Sequence, residues 1–487
     1  MSSSEGLVLR QVDRIGGEQV APAGTLSDWL CDPSTGELVV QMAATDLASV
    51  ERAIAIADAI DRSGIWCDLS VDVRCAYLEV IADQLEPLAD MVGRVESLTT
   101  GVPISIARAF GGSLAGNFRD AAALLRQGWA HAELGEADRP VQLLRIPWGP
   151  TAILVPFNAP AGQAAKKVAY ALAAGAPVIL KPTEHGPFGC NLLADAIDAA
   201  CLPPGVFQMV HGGPEVGRAL TTDPRIRAVV FTGGVEIGRA IARAAAEDFK
   251  ALQLELGGNN PVIVRDDANV ESTAAAIAAG MIKLNGQWCE APGKVLVARS
   301  LHDDLVAALL GHLGGYRIGA HDDEETQVGP LSYEGHRTRL DAQVGALVDA
   351  GAKVLVAGSE PDSGGWFWAP RVIVGADPQD AIEEMFGPVV TVHAVDSDAE
   401  ALELANASPY GLAAYVFGAD IPAAMAVGRA MRFGEVKING TSLLDMSPSS
   451  AQSFWRNSGI GGHGDTDVFR FFYGTQIVGM DRPGLPI

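Results

Sequence analysis

The sequence has few cysteines and histidines, and neither residue type forms a metal or disulfide pattern. Its six cysteines are spread over 487 residues, with no CxxC pair and no regular spacing. Disulfide frameworks and structural zinc sites need such spacings, so we expect reduced thiols and a cytoplasmic location. The nine histidines form no HExxH or HxxxH pattern. The sequence therefore predicts no bound metal.

Long apolar runs, a signal peptide and excess positive charge are also lacking. The first residues, MSSSEGLVLR, do not combine a charged segment with an apolar one. The longest apolar stretch, residues 168–180, is shorter than the roughly 20 residues that span a bilayer. A net charge of −24 opposes binding to nucleic acids and anionic lipids, which depends on clustered lysine and arginine. We expect a soluble protein whose partners include neither nucleic acid nor membrane.

Short apolar runs that alternate with helical segments begin at Pro150. They are TAILVP, PVILKP, VFQMV and RAVVF, and a fifth run, LQLEL, ends before two glycines. This alternation predicts parallel βαβ units, and the continuous apolar strands predict a sheet that is covered on both faces. A second series opens at Pro261, and the chain is long enough for two or three domains. The sequence therefore predicts an α/β fold with a doubly wound nucleotide-binding domain and a second α/β domain.

The segments outside these two series have simpler patterns. Apolar residues three and four apart, with acidic residues between them, predict helices over residues 47–60, 73–97 and 117–130. Residues 141–146 alternate like an exposed strand that has no obvious partner nearby. The tail, residues 471–478, is apolar and β-prone. Such a segment needs covering, so we expect it to pair with another subunit.

Polar residues and glycines follow the predicted strands, at the edge where ligands bind in such sheets. Asn158 follows the first strand, and Lys181 and Glu184 follow the second. A carboxylate at Glu184 can bind both ribose hydroxyls but repels a 2′-phosphate, which favours NAD over NADP. The alternatives are a helix N-cap at Asn158 and a solvated Lys181–Glu184 pair. After the fourth strand, glycines open a helix, where a backbone can approach a pyrophosphate or simply turn tightly: Gly233, Gly234 and Gly238.

A candidate nucleophile and a candidate base lie farther along the chain. Cys289, in LNGQWCEAPGK, has small and polar neighbours, and a reactive thiolate needs a partly exposed site with donors or positive potential. Glu255 ends an apolar strand between Leu254 and Leu256, so we expect desolvation to raise its pKa towards the range of a general base. The alternatives are an inert packing cysteine and a structural acid.

The chain resembles the aldehyde dehydrogenase superfamily over about residues 21–478. The motifs that carry the resemblance occur in the order of that superfamily and close to its spacing: VPFNAP, VILKPTE, FTGGVEIG, LELGGNNP, NGQWCEAPGK, EEMFGP and NASPYGLAAYVF. The resemblance implies a homodimer or homotetramer. The implied domains are a Rossmann-like NAD-binding domain, residues 1–129 and 148–255, a catalytic domain, residues 256–450, and a small β oligomerisation flap, residues 130–147 and 466–487.

The resemblance also implies a reaction and the residues that perform it. Cys289 would attack an aldehyde to give a thiohemiacetal, hydride transfer to NAD would leave a thioester, and Glu255 would activate the water that releases a carboxylic acid. Asn158 and the Cys289 N–H would form the oxyanion hole, with Lys167 near the centre. The implied NAD-binding residues are Pro156, Phe157, Lys181, Thr183, Glu184, Gly213, Phe231, Thr232, Gly233, Gly234, Gly238, Leu256, Gly257, Glu384 and Phe386.

The substrate is predicted less directly than the reaction. Alignment with the family places Arg119, Gln163 and Lys166 on a substrate tunnel, and basic groups there favour a polar or carboxylate-bearing aldehyde. Alternatively, Arg119 and Lys166 point outward into salt bridges. Trp288, beside the thiol, either contacts the substrate or holds the turn.

The chain departs from the family pattern at three places. FTGS is FTGG at Gly234, ELGGK is ELGGN at Asn259, and the motif FGGxKxSG retains only Ser458 and Gly459. The last change falls where the family shapes its substrate entrance, so the identity of the aldehyde stays open. Two other functions also stay open: a thiol-dependent hydrolase or acyltransferase, and a non-catalytic NAD-binding relative.

Overall fold

A computed structural model describes residues 7, 9–443, 446–447 and 450–481. Up to residue 255, its strands and helices are β1 (Asp13–Ile15), β2 (Glu18–Val20), β3 (Gly24–Cys31), β4 (Leu38–Ala44), α1 (Leu47–Ser63), α2 (Val71–Leu85), α3 (Ala89–Thr100), α4 (Ile104–Arg126), β5 (His131–Glu133), β6 (Val141–Pro147), β7 (Thr151–Leu154), α5 (Pro160–Ala174), β8 (Val178–Lys181), α6 (Phe188–Ala199), β9 (Phe207–Met209), α7 (Pro214–Thr222), β10 (Ala228–Thr232), α8 (Val235–Ala246) and β11 (Ala251–Glu255).

The elements after Glu255 build the second half of the molecule. They are β12 (Asn260–Val264), α9 (Val270–Ile282), β13 (Pro292–Ala298), α10 (His302–Gly314), α11 (Glu334–Asp349), β14 (Lys353–Val356), β15 (Arg371–Val374), β16 (Val389–Val395), α12 (Asp398–Asn406), β17 (Ala413–Phe417), α13 (Ile421–Ala430), β18 (Glu435–Ile438), β19 (Gln452–Ser453), β20 (Gly459–Ile460), β21 (Gly462–His463), α14 (Asp465–Phe471) and β22 (Tyr473–Gly479).

The first half is organised around an eight-stranded sheet of order β2-β1-β9-β8-β7-β10-β11-β20. Strands β9, β8, β7, β10 and β11 are parallel to one another. Their order across the sheet is that of a Rossmann sheet. The chain reverses direction across the sheet between β7 and β10. In such sheets, ligands bind beyond the carboxyl ends of the strands at this point. The carboxyl ends of β7 and β10 therefore mark the expected ligand crevice.

The second half has a seven-stranded sheet of order β14-β15-β16-β13-β12-β17-β18. Only its edge strand β14 runs antiparallel to its neighbour among the described strands. The predicted α/β class, with two sheets built mainly from parallel strands, is confirmed. None of the helices that the structure describes is long and apolar enough to cross a membrane.

Two helix predictions need correction. The helix predicted over residues 73–97 is two helices, α2 and α3, separated by a 3-10 turn at Glu86–Leu88. Pro87 lies in this turn, and proline lacks the N–H that a continuous helix needs at that point. The helix predicted from Asn117 begins at Ile104 instead and buries its apolar face against α2 and α3.

The strand at 141–146 pairs with the tail of the same chain. Strand β22 lies antiparallel to β6, from Tyr473 opposite Pro147 to Gly479 opposite Val141. With β5 they form a three-stranded sheet of order β22-β6-β5. No strand among the described residues pairs with the other edge of β22, which carries the exposed side chains of Ile477 and Val478. Pairing of the tail with another subunit therefore stays a prediction, limited to this edge.

The chain returns to the first sheet after it has built the second. Strand β20 lies antiparallel to β11, with Gly459 opposite Glu255. Buried Ser458 accepts a hydrogen bond from Leu256 N through its carbonyl oxygen, at 2.9 Å, and donates its hydroxyl to Gly257 O, at 2.9 Å. The segment that follows β11 is thus held by residues near the end of the described chain.

Candidate active site

The Cys289 turn follows three residues with left-handed backbone conformations. The φ angles of Leu284, Asn285 and Gly286 are 48°, 58° and 74°, a region that side chains other than glycine rarely adopt. At Gly286 an added Cβ would lie 2.1 Å from the carbonyl carbon of Gly387. The turn therefore depends on a glycine for space as well as for conformation.

The strained backbone is held by the fully buried side chain of Asn285. Its amide nitrogen donates to Gly101 O at 2.8 Å and to Pro330 O at 2.9 Å, and its amide oxygen accepts from Gly329 N at 2.8 Å. Asparagine tolerates the left-handed region better than most residues. Asn285 thus ties the cysteine turn to two other loops.

Trp288 and Asn260 hold the turn on either side of the cysteine. The indole of Trp288 is 3% exposed, and its N–H donates to Gly280 O at 2.9 Å. Through this packing Trp288 helps to hold the turn. Its contact with the substrate stays a prediction. Asn260, which the sequence analysis missed, donates through its amide to Cys289 O at 2.9 Å and to Ala291 O at 2.8 Å.

Cys289 faces the carboxyl group of Glu255. The residue Cys289 is partly exposed, and its Sγ atom lies 3.8 Å from Glu255 Oε1. Burial and the carboxylates of Glu255, Glu290 and Glu384 raise the pKa of the Cys289 thiol well above its ordinary value. A reactive thiolate was expected to have hydrogen-bond donors or positive potential nearby, whereas the carboxylates around this sulfur favour the neutral thiol. The sulfur carries its proton at neutral pH, and Glu255 is within reach of it.

The environment of Glu255 differs from the prediction. The side chain is 4% exposed, and its Oε2 atom lies 3.7 Å from Lys167 Nζ and 3.9 Å from His463 Nδ1. Burial alone would raise the pKa of Glu255, but His463 and Lys167 outweigh it and lower the pKa to about 2. The prediction of a raised pKa is wrong, because it considered only the flanking leucines. Burial in turn lowers the pKa of Lys167 to about 8.

Gln253 connects the groups that surround Glu255. It lies two residues before Glu255 on β11, so both side chains project from the same face of the strand. Its amide oxygen accepts from Lys167 Nζ at 3.3 Å, and its amide nitrogen donates to Gly462 O at 2.8 Å. The sequence analysis missed Gln253 and His463. The two-residue period of β11 pointed to Gln253, whereas no pattern pointed to His463.

Asn158 is the second asparagine that donates a hydrogen bond to the backbone of the turn. It follows β7, and its amide nitrogen donates to Gln287 O at 2.8 Å. Gln287 is itself fully buried, with its amide oxygen accepting from Ser332 N at 3.0 Å. The predicted nucleophile, base and amide donor thus come together at one place.

Two of the residues predicted to line the substrate tunnel are paired with acidic residues. The guanidinium of Arg119 is 44% exposed and lies 3.0 Å from Asp83 and 2.7 Å from Glu86. The prediction that Arg119 lines the tunnel is wrong, since α4 turns this residue towards α2. Lys166 Nζ lies 2.9 Å from Asp465, as the salt-bridge alternative predicted.

Gln163 lies on the same helix as Lys167, which borders Glu255. It lies one helical turn before Lys167 on α5, on the same face of the helix. Its amide oxygen is buried, and no donor among the described residues reaches it. Gln163 thus presents a buried acceptor that a ligand can satisfy.

Three of the predicted cofactor residues, Lys181, Glu184 and Gly234, lie at the carboxyl ends of β8 and β10. Lys181 Nζ lies 3.2 Å from Glu184 Oε2, just past the end of β8. Gly234 is the N-cap of α8, and no described side chain caps that helix. A Cβ added at Gly234 would meet no described atom within 4 Å. The crevice therefore offers uncapped backbone N–H groups at a helix N-terminus, with space in front of them.

The second half of the molecule adds a carboxyl group and an aromatic ring. Glu384 Oε1 accepts from Gly258 N at 2.9 Å, and burial raises the pKa of Glu384 to about 7. A Cβ at Gly257 would lie 2.1 Å from Glu384 Oε2, so a glycine is needed for this approach. The rings of Phe386 and Phe157 are 5.7 Å apart, which joins the two halves at the crevice.

Comparison with known proteins agrees with this geometry. The sequence profile described as the aldehyde dehydrogenase family matches residues 27–478. The chain belongs to the aldehyde dehydrogenase family. The predicted family, and oxidation of an aldehyde as the reaction, are thereby confirmed.

Among the relatives of this aldehyde dehydrogenase is the 3,6-anhydro-alpha-L-galactose dehydrogenase of Streptomyces coelicolor, 34% identical over 90% of this chain and 89% of that protein. A putative aldehyde dehydrogenase of Staphylococcus aureus is 31% identical over 96% of this chain and 98% of its own. A solved betaine aldehyde dehydrogenase from Staphylococcus aureus, in complex with NAD+, has a TM-score of 0.92, 28% identity, and covers 99% of this chain and 97% of its own.

The crevice fits the cofactor that the solved neighbour contains. The uncapped N-terminus of α8 suits a pyrophosphate, and Glu184 offers a carboxylate at the end of β8, where ribose hydroxyls bind. Glu384 and Phe386 provide an acceptor and a ring on the other side. The residues present therefore fit NAD, which is the cofactor predicted from the sequence.

Proposed function

We propose that this aldehyde dehydrogenase uses Cys289 as its nucleophile, Glu255 as its base and NAD as its hydride acceptor to oxidise a polar aldehyde to the carboxylic acid. The observation that carries the proposal is the 3.8 Å distance between Cys289 Sγ and Glu255 Oε1. A protonated thiol and an ionised carboxylate at this distance are a nucleophile and its base. Glu255 belongs to the first half of the molecule, and Cys289 belongs to the second half.

The first half of the reaction assembles the acyl-enzyme. Glu255 takes the thiol proton as Cys289 Sγ bonds to the aldehyde carbon, and the carbonyl oxygen becomes an oxyanion. The Asn158 amide has two N–H donors, of which one bonds Gln287 O. The other, with the Cys289 N–H, holds the oxyanion, and loss of one such donor costs about 10²–10³ in rate. When bound, NAD+ would supply the hydride acceptor, and Cys289 would then carry the acyl group as a thioester.

Hydrolysis of the thioester completes the cycle. Glu255 takes a proton from water as the water oxygen bonds to the acyl carbon, and the carbon–sulfur bond breaks to leave the Cys289 thiolate. Glu255 then returns this proton to the sulfur, which restores the thiol and the carboxylate. Lys167, buried beside Glu255, keeps the carboxylate ionised for this step. The same carboxylate therefore serves both halves of the reaction.

The cofactor residues follow from the crevice. Lys181 and Glu184 would bind the adenosine ribose. The backbone N–H groups at the N-terminus of α8 would bind the pyrophosphate. Because Glu184 is a carboxylate, it would repel a 2′-phosphate, so we expect preference for NAD over NADP. The other residues in this assignment are Pro156, Phe157, Thr183, Gly213, Phe231, Thr232, Gly233, Gly238, Leu256, Gly257, Glu384 and Phe386.

The substrate that we propose is a hydroxylated aldehyde rather than one that carries a carboxylate. Arg119 and Lys166 are paired with acids, which removes the support for a carboxylate-bearing substrate. Gln163 offers a buried oxygen without a described donor, and a substrate hydroxyl would satisfy it. A cavity of about 110 Å³ next to the site has Glu435, Gln452 and His463 in its lining. The relative named for a sugar derivative agrees with this assignment.

We also propose a cytoplasmic homo-oligomer, a dimer or tetramer. The open edge of β22 next to exposed Ile477 and Val478 is a surface for a second copy. The free cysteines agree with a reducing compartment.

An aldehyde panel with NAD and NADP tests the proposal. We expect NADH formation with hydroxylated aldehydes to exceed that with an alkanal or a semialdehyde acid of equal length. Cys289→Ala should abolish it. Full dehydrogenase activity in Cys289→Ala would refute the assignment of the nucleophile, and preference for the alkanal would refute the substrate class.

A further inference from the structure

His463 is the second basic side chain that borders the buried base. It ends β21, and its Nδ1 atom lies 3.9 Å from Glu255 Oε2. That oxygen is buried, and no described residue donates a hydrogen bond to it. A gap of 3.9 Å can be closed by one bridging water or a small rotation of the ring, and distances in empty active sites are often long. The imidazole thus has the position of a group that exchanges protons with Glu255.

The position of His463 is fixed by the same residues that fix the site. Its strand pairs with β19, with Gln452 opposite His463. Gln452 donates to Glu290 Oε1 at 3.1 Å, and Gly462 O accepts from Gln253 at 2.8 Å. The strand that carries the imidazole is therefore anchored to the neighbour of Cys289 and to the strand of Glu255.

The chemistry requires a path for a proton away from Glu255. The carboxylate accepts the thiol proton when Cys289 attacks the aldehyde. It must lose this proton before it can accept another from the water that attacks the thioester. Glu255 itself is 4% exposed, so a second group has to carry the proton to solvent.

Lys167 and His463 both border the Glu255 carboxylate, but they differ in access to water. Lys167 is 1% exposed, and its Nζ is held by Gln253 Oε1 at 3.3 Å. The His463 side chain is 24% exposed and lines the cavity of about 110 Å³. An imidazole can accept a proton on one nitrogen and release one from the other. His463 therefore has the access that Lys167 lacks.

We propose that His463 is the proton relay that empties Glu255 between acylation and hydrolysis and delivers the proton to water in the adjoining cavity. This inference rests on the proposed function. His463 Nδ1 takes the proton from Glu255, and the proton on the other ring nitrogen passes to water. No electrons are transferred, and the imidazole and the carboxylate return to their starting forms. His463 acts through Glu255 and is a positioning and relay residue rather than a catalytic one.

The test separates the two halves of the reaction in His463→Ala and His463→Gln. A stopped-flow measurement follows NADH, whose first turnover reports acylation and whose steady state reports hydrolysis. We expect a first turnover within about twofold of wild type and a steady-state rate lower by about 10-fold or more in both variants. His302→Ala is the matched control, because its side chain is 23% exposed against 24% for His463. It should behave as wild type.

Added imidazole distinguishes a relay from a structural role. It should restore the steady-state rate of His463→Ala in proportion to its concentration, since the alanine leaves room for it. His463→Gln has no such room and should not respond, and neither should Glu255→Gln. A structural role would reduce the first turnover as well and would not respond to imidazole.

Each outcome decides between the two proposals. Steady-state rates equal to wild type in both His463 variants, or a loss that imidazole does not restore, would overturn the relay and leave the proposed function intact. A wild-type protein that forms no NADH with any aldehyde of the panel would overturn the proposed function itself.

Discussion

The cysteine turn and the carboxyl group that faces it are held in different ways. The turn is fixed by side-chain hydrogen bonds to its backbone, from Asn260 and Asn158, and by the three bonds of Asn285. The Glu255 carboxylate lies between the basic side chains of Lys167 and His463, at 3.7 Å and 3.9 Å. Hydrogen bonds fix direction, whereas charges at these distances fix mainly ionisation. The nucleophile is therefore held in one position, and the base can turn towards the thiol or a water.

Two carboxyl groups in the site show how far local charge decides ionisation. Burial acts to raise the pKa of both Glu255 and Glu384, but His463 and Lys167 outweigh burial at Glu255 and lower its pKa to about 2. At Glu384, the Gly258 N–H and Arg339 lower the pKa too little to offset burial. The pKa of Glu384 stays raised, at about 7. One group is thus an ionised base at all working pH values, and the other titrates near neutrality.

The largest effect is expected from removing the charge of Glu255. Glu255→Gln keeps the shape but accepts no proton, so we expect the steady-state rate to fall by about 10²–10⁴-fold. Glu236→Gln, whose side chain is 83% exposed, is the control and should match wild type. A Glu255→Gln rate within a few fold of wild type would show that the base lies elsewhere.

The hydrogen-bonded turn is tested by Gly286→Ala. The new Cβ would meet Gly387 at 2.1 Å and require a left-handed alanine, so we expect a loss of about 3 kcal/mol in the free energy of unfolding. Denaturant unfolding measures it. Gly345→Ala, on α11 with no described atom within 4 Å of its Cβ, should instead stabilise by about 0.5–1 kcal/mol. Equal effects of the two changes would contradict the fixed turn.

The pKa of Glu384 predicts a pH dependence for cofactor binding. The ionised form, present above about pH 7, accepts stronger hydrogen bonds from ribose hydroxyls than the protonated form. We expect the Kd for NAD to rise about fivefold as the pH falls from about 8 to about 6. Titration calorimetry measures it, and Glu384→Gln should give a flat profile. A wild-type profile equally flat would count against contact between Glu384 and the ribose.

The smallest effect is expected for Trp288→Phe. The change removes the indole N–H that donates to Gly280 O but keeps most of the buried ring, so stability should fall by about 1 kcal/mol. The order of preference across the aldehyde panel should stay the same. A changed order of preference among the aldehydes would indicate that Trp288 contacts the substrate.

The sequence predicted the parts of the site that depend on local pattern. The apolar runs located β7, β8, β10 and β11, and the motifs located Asn158 after β7, Glu255 at the end of β11 and Cys289 in the turn before β13. The ionisation of Glu255 was mispredicted because its partners, Lys167 and His463, come from distant segments. No local pattern could supply their distances.

The sequence also could not predict which neighbour a side chain on a helix faces. The sequence placed Arg119 on a helix but could not show which neighbour it faces, since that depends on how α4 packs on α2. Pro87 lies between α2 and α3 and divides the helix predicted over residues 73–97. A proline inside a helical pattern indicates such a break. The partner of β6 could not be predicted because β22 lies at the far end of the described chain.

The return of β20 to the edge of β11 has a consequence for synthesis on the ribosome. The first sheet emerges early, but the outer edge of β11 stays unpaired until Gly459 and Ile460 have left the exit tunnel. Newly made chains therefore expose a bare strand edge throughout translation of the second half, when they are most prone to self-association. The base can reach its final surroundings only at the end of translation, so a prematurely terminated chain would carry the cysteine without a working partner.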